Sequence, residues 1–248
     1  MSDRLFENDA LRFSNNIYGT LKGKIREHVL KEDLSFLNNG KSRSIVDLGA
    51  GIGQVNSWLA QAGHNITHVE PSLDMLSEAK SLHAKLNLTE QYEYFNDTIQ
   101  SFATEGTFDL VCCHAVLEWL ENPWLAWLKL TELVADGGYL SLMFYNIEAK
   151  RMANLVYGNF DYVNAGLKVK KKVRFSPSNP LKVSEVMNWV AASKLEIVQH
   201  SGVRVIHDYL KSPEKIDEQA LIDLELRYRK LEPYRALGRY QHILLRKI

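Results

Sequence analysis

The stretch VDLGAGIGQ, residues 46–54, constrains the fold more than any other. It continues an apolar run, SIVDLG, that reads as a strand, and it opens QVNSWLAQAG, which reads as a helix closed by Gly63. Gly49, Gly51 and Gly53 fall where the chain must turn tightly and let a ligand approach its backbone. Side chains there would block that approach or force an unfavourable dihedral. The alternation continues downstream. NITHVE reads as a second strand, SLDMLSEAKSLHAKLN as a helix capped by Ser72, and YEYFN as a third strand. FDLVCCH is a fourth, NPWLAWLKLTELVA a helix, and GGYLSLMFYN a fifth strand entered from a turn at Gly137-Gly138. Strands alternating with helices of this length predict an α/β fold, with a mostly parallel sheet covered by helices on both faces.

Two flanks surround this core. Before it, GTLKGKIREHVLKEDLSFLNN carries helical periodicity in Ile25, Val29, Leu34 and Leu37. After it, residues 147–181 hold a helix and then a polar, basic loop marked by Gly and Pro. A helix near 182–192, the strand LEIVQHSGVRV, a helix near 214–229 and the strand RYQHILLRK follow. The two late strands bring the sheet to seven. Residues 1–248 therefore read as one domain: a helical flank (1–43), a core (44–146), a basic insertion (147–181) and a completion of the sheet (182–248).

Thirty basic residues balance thirty acidic ones, so attraction for a polyanion must come from local clustering. One cluster exists. LKVKKKVRFSP holds Lys168, Lys170, Lys171, Lys172 and Arg174, with no Asp or Glu from Tyr162 to Ser184. Such a run is a solvated loop or the landing place of an anionic partner. The two cysteines, Cys112 and Cys113, are adjacent on a predicted strand, which excludes a disulfide framework and matches no zinc spacing. The opening MSDRLFENDALRF has no apolar core of signal-peptide length, and LVCCHAVLEWL and YLSLMFY are too short to span a bilayer. The expectation is a cytoplasmic protein with neither membrane span nor metal.

Two acids sharpen the reading of the glycine loop. Glu70 ends the second strand, where an acidic side chain can accept hydrogen bonds from both ribose hydroxyls. Asp47 starts the loop itself, and a carboxylate there suits a ligand with an amino group or positive centre better than a pyrophosphate. Loop, preceding acid and strand-ending acid together resemble the class I S-adenosylmethionine-dependent methyltransferases. That resemblance implies a Rossmann-like fold and S-adenosyl-L-methionine as cofactor. It also implies adenine-side contacts from Ile99 and Gln100, and a cofactor or substrate contact from His114 at the exit of the fourth strand.

Runs in the flanks narrow the likeness. FSNNIYGTLKGKIR, HAVLEW, LSLMFYN, GNFDYVNAG followed by KKK, GVRVIHDYL and EPYRALGRYQH resemble the bacterial tRNA 5-carboxymethoxyuridine methyltransferases, over residues 4 to 246. The resemblance implies conversion of the carboxymethoxy group on the wobble uridine (position 34) of tRNA into its methyl ester. It also implies that Arg26 reaches the cofactor at its carboxylate, and that Gly49, Ala50, Gly51 and Glu70 hold the rest. The resemblance implies glycine where this chain has Ala50, a departure that still leaves a backbone amide available. The basic run then becomes a grip for RNA beside the anticodon loop.

The chemistry needs no general base, because a carboxylate nucleophile, with an ordinary pKa of about 4, is already ionised at neutral pH. What it needs is alignment with the activated methyl. Candidate clamps are Arg204 and His207, Arg239 and Tyr240, and Tyr18, with Tyr145 and Asn146 as hydrogen-bonding groups at the end of the fifth strand. Arg204 ranks first, since a guanidinium grips a carboxylate with two parallel hydrogen bonds. Tyr18, Phe160, Tyr162 and Tyr209 are each eligible to stack on the unpaired base. A methyltransferase for a small-molecule carboxylate or hydroxyl shares the core motifs but leaves the basic run unexplained. A nicotinamide-dependent reductase accounts poorly for Asp47, and the intact loop argues against an inactive binding module.

Overall fold

The structure, a computed structural model, describes residues 19–168, 177 and 179–248. Seven strands form one sheet: β1 (Ser44–Leu48), β2 (Asn65–Val69), β3 (Tyr92–Phe95), β4 (Phe108–His114), β5 (Val134–Tyr145), β6 (Leu195–Val203) and β7 (Tyr240–Lys247). Their order is β3-β2-β1-β4-β5-β7-β6. β7 runs antiparallel to both β5 and β6, and every other pairing is parallel. Neighbours of β1 lead outward in opposite directions, so a crevice opens beyond the carboxyl ends of β1 and β4. Ligands of open α/β sheets bind in such a crevice.

The period-2 alternation of strands decides what each face buries. Val46, Leu48, Val111 and Cys113 turn to one side and pack with Trp127 and Leu130 of helix α4 (Pro123–Leu133) and with Val186 and Val190 of α7 (Val183–Ala191). Ile45, Leu110 and Cys112 turn to the other, against Leu59 of α2 (Gln54–Gln61) and Leu34 and Leu37. Helix α1 (Leu21–Asp33) is capped by Thr20 and adds Val29 and Leu30 beside Met143 and Val203. Helix α3 (Leu73–Lys85), capped by Ser72, lies between β2 and β3 in the chain. The two adjacent cysteines thus belong to opposite halves of the core.

Late elements fall where the apolar pattern expects them, with two shifts. β5 begins at Val134, ahead of the expected turn, and pairs with Phe108 across an irregularity that absorbs Gly137 at φ +75°. A Cβ on Gly138 would meet the Ala135 carbonyl at 2.9 Å, so the bulge requires glycine. Helix α8 (Glu218–Tyr228) starts four residues later than expected because Asp217 caps it. The insertion after β5 contains α5 (Ile147–Val156) and the short α6 (Phe160–Asn164). No helix among the described residues is long and apolar enough to cross a membrane.

Candidate active site

The turn after β1 passes through three left-handed residues, Gly49 at φ +71°, Gly51 at +59° and Gly53 at +75°. A Cβ on Gly49 would lie 2.5 Å from Val116 Cγ2, and one on Gly53 would lie 2.4 Å from His83 Nε2. Conformation and space both demand glycine. β2 pins the loop, because the amides of Gly49 and Ala50 donate to the Val69 carbonyl at 2.9 and 3.1 Å. Glu70 is 5% exposed and accepts from the Gly51 amide at 2.8 Å and, through its other oxygen, from the Ser72 amide at 2.9 Å. Each oxygen keeps a further lone pair, so the carboxylate can tie the loop and still accept from a pair of hydroxyls. Burial raises its pKa, and the two amides oppose that shift.

Asp47 behaves differently from the expectation. Its side chain lies beneath the loop, 3% exposed, and accepts from Asn56 Nδ2 at 2.9 Å. Asn56 in turn meets His68 Nδ1 at 3.1 Å and accepts from the Tyr92 hydroxyl at 3.0 Å. Burial pushes the Asp47 carboxyl up to about 7; Asn56 opposes the shift, the charge of Glu70 adds to it, and Arg26 offsets part. The open contact with a ligand amino group is therefore corrected to an internal bond that orders the loop. Arg26, 9% exposed on α1, is felt electrostatically at Asp47, His114, Glu118 and Tyr240, and so stands between the loop and the far strands.

His114, at the end of β4, closes a polar chain through the sheet. Its Nε2 meets Ser141 Oγ at 2.8 Å, Ser141 Oγ meets His242 Nε2 at 2.9 Å, and His242 Nδ1 meets Asp33 Oδ2 at 2.8 Å. Arg229 Nε donates to Asp33 at 3.3 Å. Burial drives the His114 pKa well down, so the ring is neutral, and its Nδ1 is buried with no partner among the described residues. One ring nitrogen is thereby left for a ligand. The adenine-side pair divides. Gln100 lines an open pocket of about 550 Å³ with Glu121, Asn122 and Leu125, whereas Ile99 is 4% exposed and packed with Val69, Phe102 and Leu117.

At the ends of β5, β6 and β7 the structure gathers four of the expected clamps around Asp208, which lies within the run GVRVIHDYL but is not among the candidates read from it. Arg204 Nη2 donates to Asp208 Oδ2 at 2.7 Å, Arg239 Nε donates to the same oxygen, and His207 Nδ1 meets Oδ1 at 2.9 Å. Arg239 Nη1 also donates to the Tyr145 hydroxyl at 2.9 Å. Arg204 lies over the Tyr240 ring at 5.4 Å, and the rings of Tyr145 and Tyr240 meet edge to face. Burial would raise the Asp208 pKa, but Arg204, His207 and Arg239 hold its carboxyl well below the usual range. Two guanidiniums share the Asp208 carboxylate, and Arg204 Nε is a buried donor with no partner among the described residues. The loop bearing Arg204 and His207 is anchored by buried Glu225 of α8. It accepts from the amides of Val205, Ile206 and His207 at 2.7, 3.1 and 2.8 Å.

Asn146 is a second correction. Its side chain is 0% exposed, and both of its polar atoms are bonded within the fold. Oδ1 caps α5 through the Glu148 amide at 3.0 Å, and Nδ2 donates to the carbonyls of Ala236 and Gly238 at 2.9 and 3.1 Å. It shapes the approach to Arg239 and presents no exposed group to a base. Of the aromatic candidates, Phe160 is 58% exposed on α6, Tyr162 carries Lys150 over its ring at 5.9 Å, and the Tyr209 hydroxyl donates to the Leu237 carbonyl at 2.8 Å. Lys168 is exposed. Tyr18, Lys170, Lys171, Lys172 and Arg174 lie outside the described residues. Burial pushes both thiols, Cys112 and Cys113, well up, as unreactive core residues require.

A family model described as "Methyltransferase domain" matches residues 46–142. Over its whole length the chain is 38% identical to the curated tRNA 5-carboxymethoxyuridine methyltransferase of Escherichia coli (strain K12), covering 97% of that protein. The chain belongs to the tRNA 5-carboxymethoxyuridine methyltransferase family. The ubiquinone biosynthesis O-methyltransferase of Cronobacter sakazakii is 28% identical over 62% of each chain. The magnesium protoporphyrin IX methyltransferase of Synechocystis PCC 6803, solved with bound SAH, superposes with a TM-score of 0.66 at 14% identity. It covers 97% of this chain and 95% of that one, and shares the fold. The Asp208 cluster of this family member lies in residues 204–240, beyond the matched methyltransferase domain.

Proposed function

We propose that this chain transfers a methyl group from S-adenosylmethionine to the carboxylate of 5-carboxymethoxyuridine at the wobble position of tRNA, giving the methyl ester. The observation that carries the reading is the pocket of Arg204, Arg239 and Tyr145 around Asp208, at the same sheet edge as the glycine loop. Full-length similarity to the Escherichia coli protein supports the same substrate.

The cradle fits the cofactor. The left-handed turn at Gly49, Gly51 and Gly53 brings backbone to the mouth of the site, Glu70 keeps lone pairs for ribose hydroxyls, and His114 Nδ1 is a buried nitrogen with no partner among the described residues. Arg26 would hold its carboxylate and Gln100 would flank its adenine. When bound, it supplies a methyl group already activated on a sulfonium. The rest is positioning. The substrate carboxylate is ionised without help, and Arg204 Nε orients it for in-line attack. Asp208 keeps both guanidiniums aimed before the substrate arrives, so little reorganisation remains.

The basic run around Lys170, Lys171 and Lys172 supplies phosphate contacts on a chain with no net charge. Residues 1–248 act as one unit in the cytoplasm, where tRNA is found. The test offers labelled S-adenosylmethionine and either of two tRNAs, one bearing and one lacking the carboxymethoxy group. Label enters only the first. Label in the second, or in neither, refutes the substrate.

A further inference from the structure

Glu118 lies on the turn Leu117–Trp119, just past β4, with its side chain wholly buried. Neither carboxyl oxygen makes a well-formed hydrogen bond among the described residues, although two backbone amides approach closely enough to favour its charged form. A carboxyl group is costly to bury unpaired, and such groups mark places that a ligand completes. Its surroundings belong to the site. Arg26 of α1 and Tyr240 of β7 interact with it electrostatically, as does Cys113 of β4, and the backbone amides of Tyr145 and of Glu118 itself lie beside it. Its main-chain carbonyl accepts from the Asn179 amide at 2.9 Å.

We propose that Glu118 recognises the target base, its carboxyl group pairing through two hydrogen bonds with the imide edge of the uridine. This rests on the tRNA substrate proposed above. A uracil edge offers an N–H donor next to a carbonyl acceptor. A protonated carboxyl offers the complement, a carbonyl acceptor next to an O–H donor, whereas an ionised one offers acceptors only. An ionised Glu118 would also repel the substrate's own carboxylate. Burial pushes Glu118 up to about 8, against the opposing pull of the two amides and Arg26, so at neutral pH it is mostly protonated. Because the side chain is covered, the base displaces a neighbour on arrival. The two hydrogen bonds then form away from water, where they count most.

The experiment measures kcat and KM for tRNA bearing the carboxymethoxy group, from about pH 6 to about pH 10, in the wild type, Glu118→Gln and Glu118→Ala. The wild type loses kcat/KM above about pH 8 as Glu118 ionises. Glu118→Gln keeps a donor beside an acceptor but cannot ionise. Its kcat/KM is about three- to tenfold lower near neutrality, and its alkaline fall is delayed until the uridine N–H itself ionises. Glu118→Ala raises KM for tRNA about tenfold to a hundredfold while cofactor affinity by calorimetry stays as in the wild type. A Gln profile that superimposes on the wild type overturns the proposal, and so does altered cofactor affinity in either variant. Should the Ala variant fail to fold, the Gln profile decides alone. If the wild type transfers no methyl to this tRNA, the functional reading falls first; transfer with unaffected variants removes only the role of Glu118.

Discussion

The glycine loop is built from main-chain amides over two buried carboxyls, Asp47 and Glu70, both with raised pKa values. At the far strands guanidinium groups gather on Asp208, a buried carboxyl whose pKa is lowered. Burial pushes all three acids the same way. The difference is the partner: Asp47 has an amide, Asn56, whereas Asp208 has two arginines and a histidine. One end of the cleft therefore presents backbone amides over acids raised by burial, and the other presents guanidinium groups held on one carboxylate.

The contrast between the two ends breaks most visibly at the arginines. Arg204→Met or Arg239→Met lowers kcat/KM for the modified tRNA by about 2–5 kcal/mol, since each removes one partner of a buried charge pair. Cofactor affinity by calorimetry stays unchanged, and equal losses at both ends would dissolve the distinction. The acids predict opposite pH behaviour. Asp208, lowered in the fold, contributes stability that is complete above about pH 4 and lost as pH falls towards its folded value. Asp47 is raised to about 7, so folding takes up a proton and stability declines as pH climbs to that point. Asp47→Asn therefore gains on the wild type by about 2–4 kcal/mol between about pH 4 and pH 7. Asp208→Asn loses most at neutrality and little in acid. Urea unfolding across pH reads both, and parallel curves would contradict the assignment. Glu70→Ala gives the smallest effect, about 1.5–3 kcal/mol in cofactor affinity. Unchanged affinity would deny Glu70 the ribose.

The cofactor end was the more legible of the two for a physical reason. A left-handed turn needs glycine whatever the rest of the chain does, so Gly49, Gly51 and Gly53 announce themselves locally. Strand alternation likewise exposes β1 to β5 in sequence order. The burial of Asp208, Glu225 and Glu118 depends on contacts across the fold, such as Arg239 to Asp208 or Tyr240 near Glu118, and no local pattern encodes them. Asn146 shows the opposite failure. Asn followed two residues later by Glu148 at the start of a helix is a capping signal, and it explains the residue without any ligand. Asp47 looked like a ligand contact because a loop-leading acid is visible in sequence, while its partner Asn56 sits on the next helix.

The most direct test of the methyl-ester assignment examines the product. After reaction with labelled S-adenosylmethionine, the modified tRNA is digested to nucleosides and treated with mild alkali. The expected result is one labelled nucleoside, heavier than 5-carboxymethoxyuridine by one methyl in place of a hydrogen, whose label is released as methanol. Label that survives alkali, or that sits on a different nucleoside, would place the methyl elsewhere and contradict the assignment.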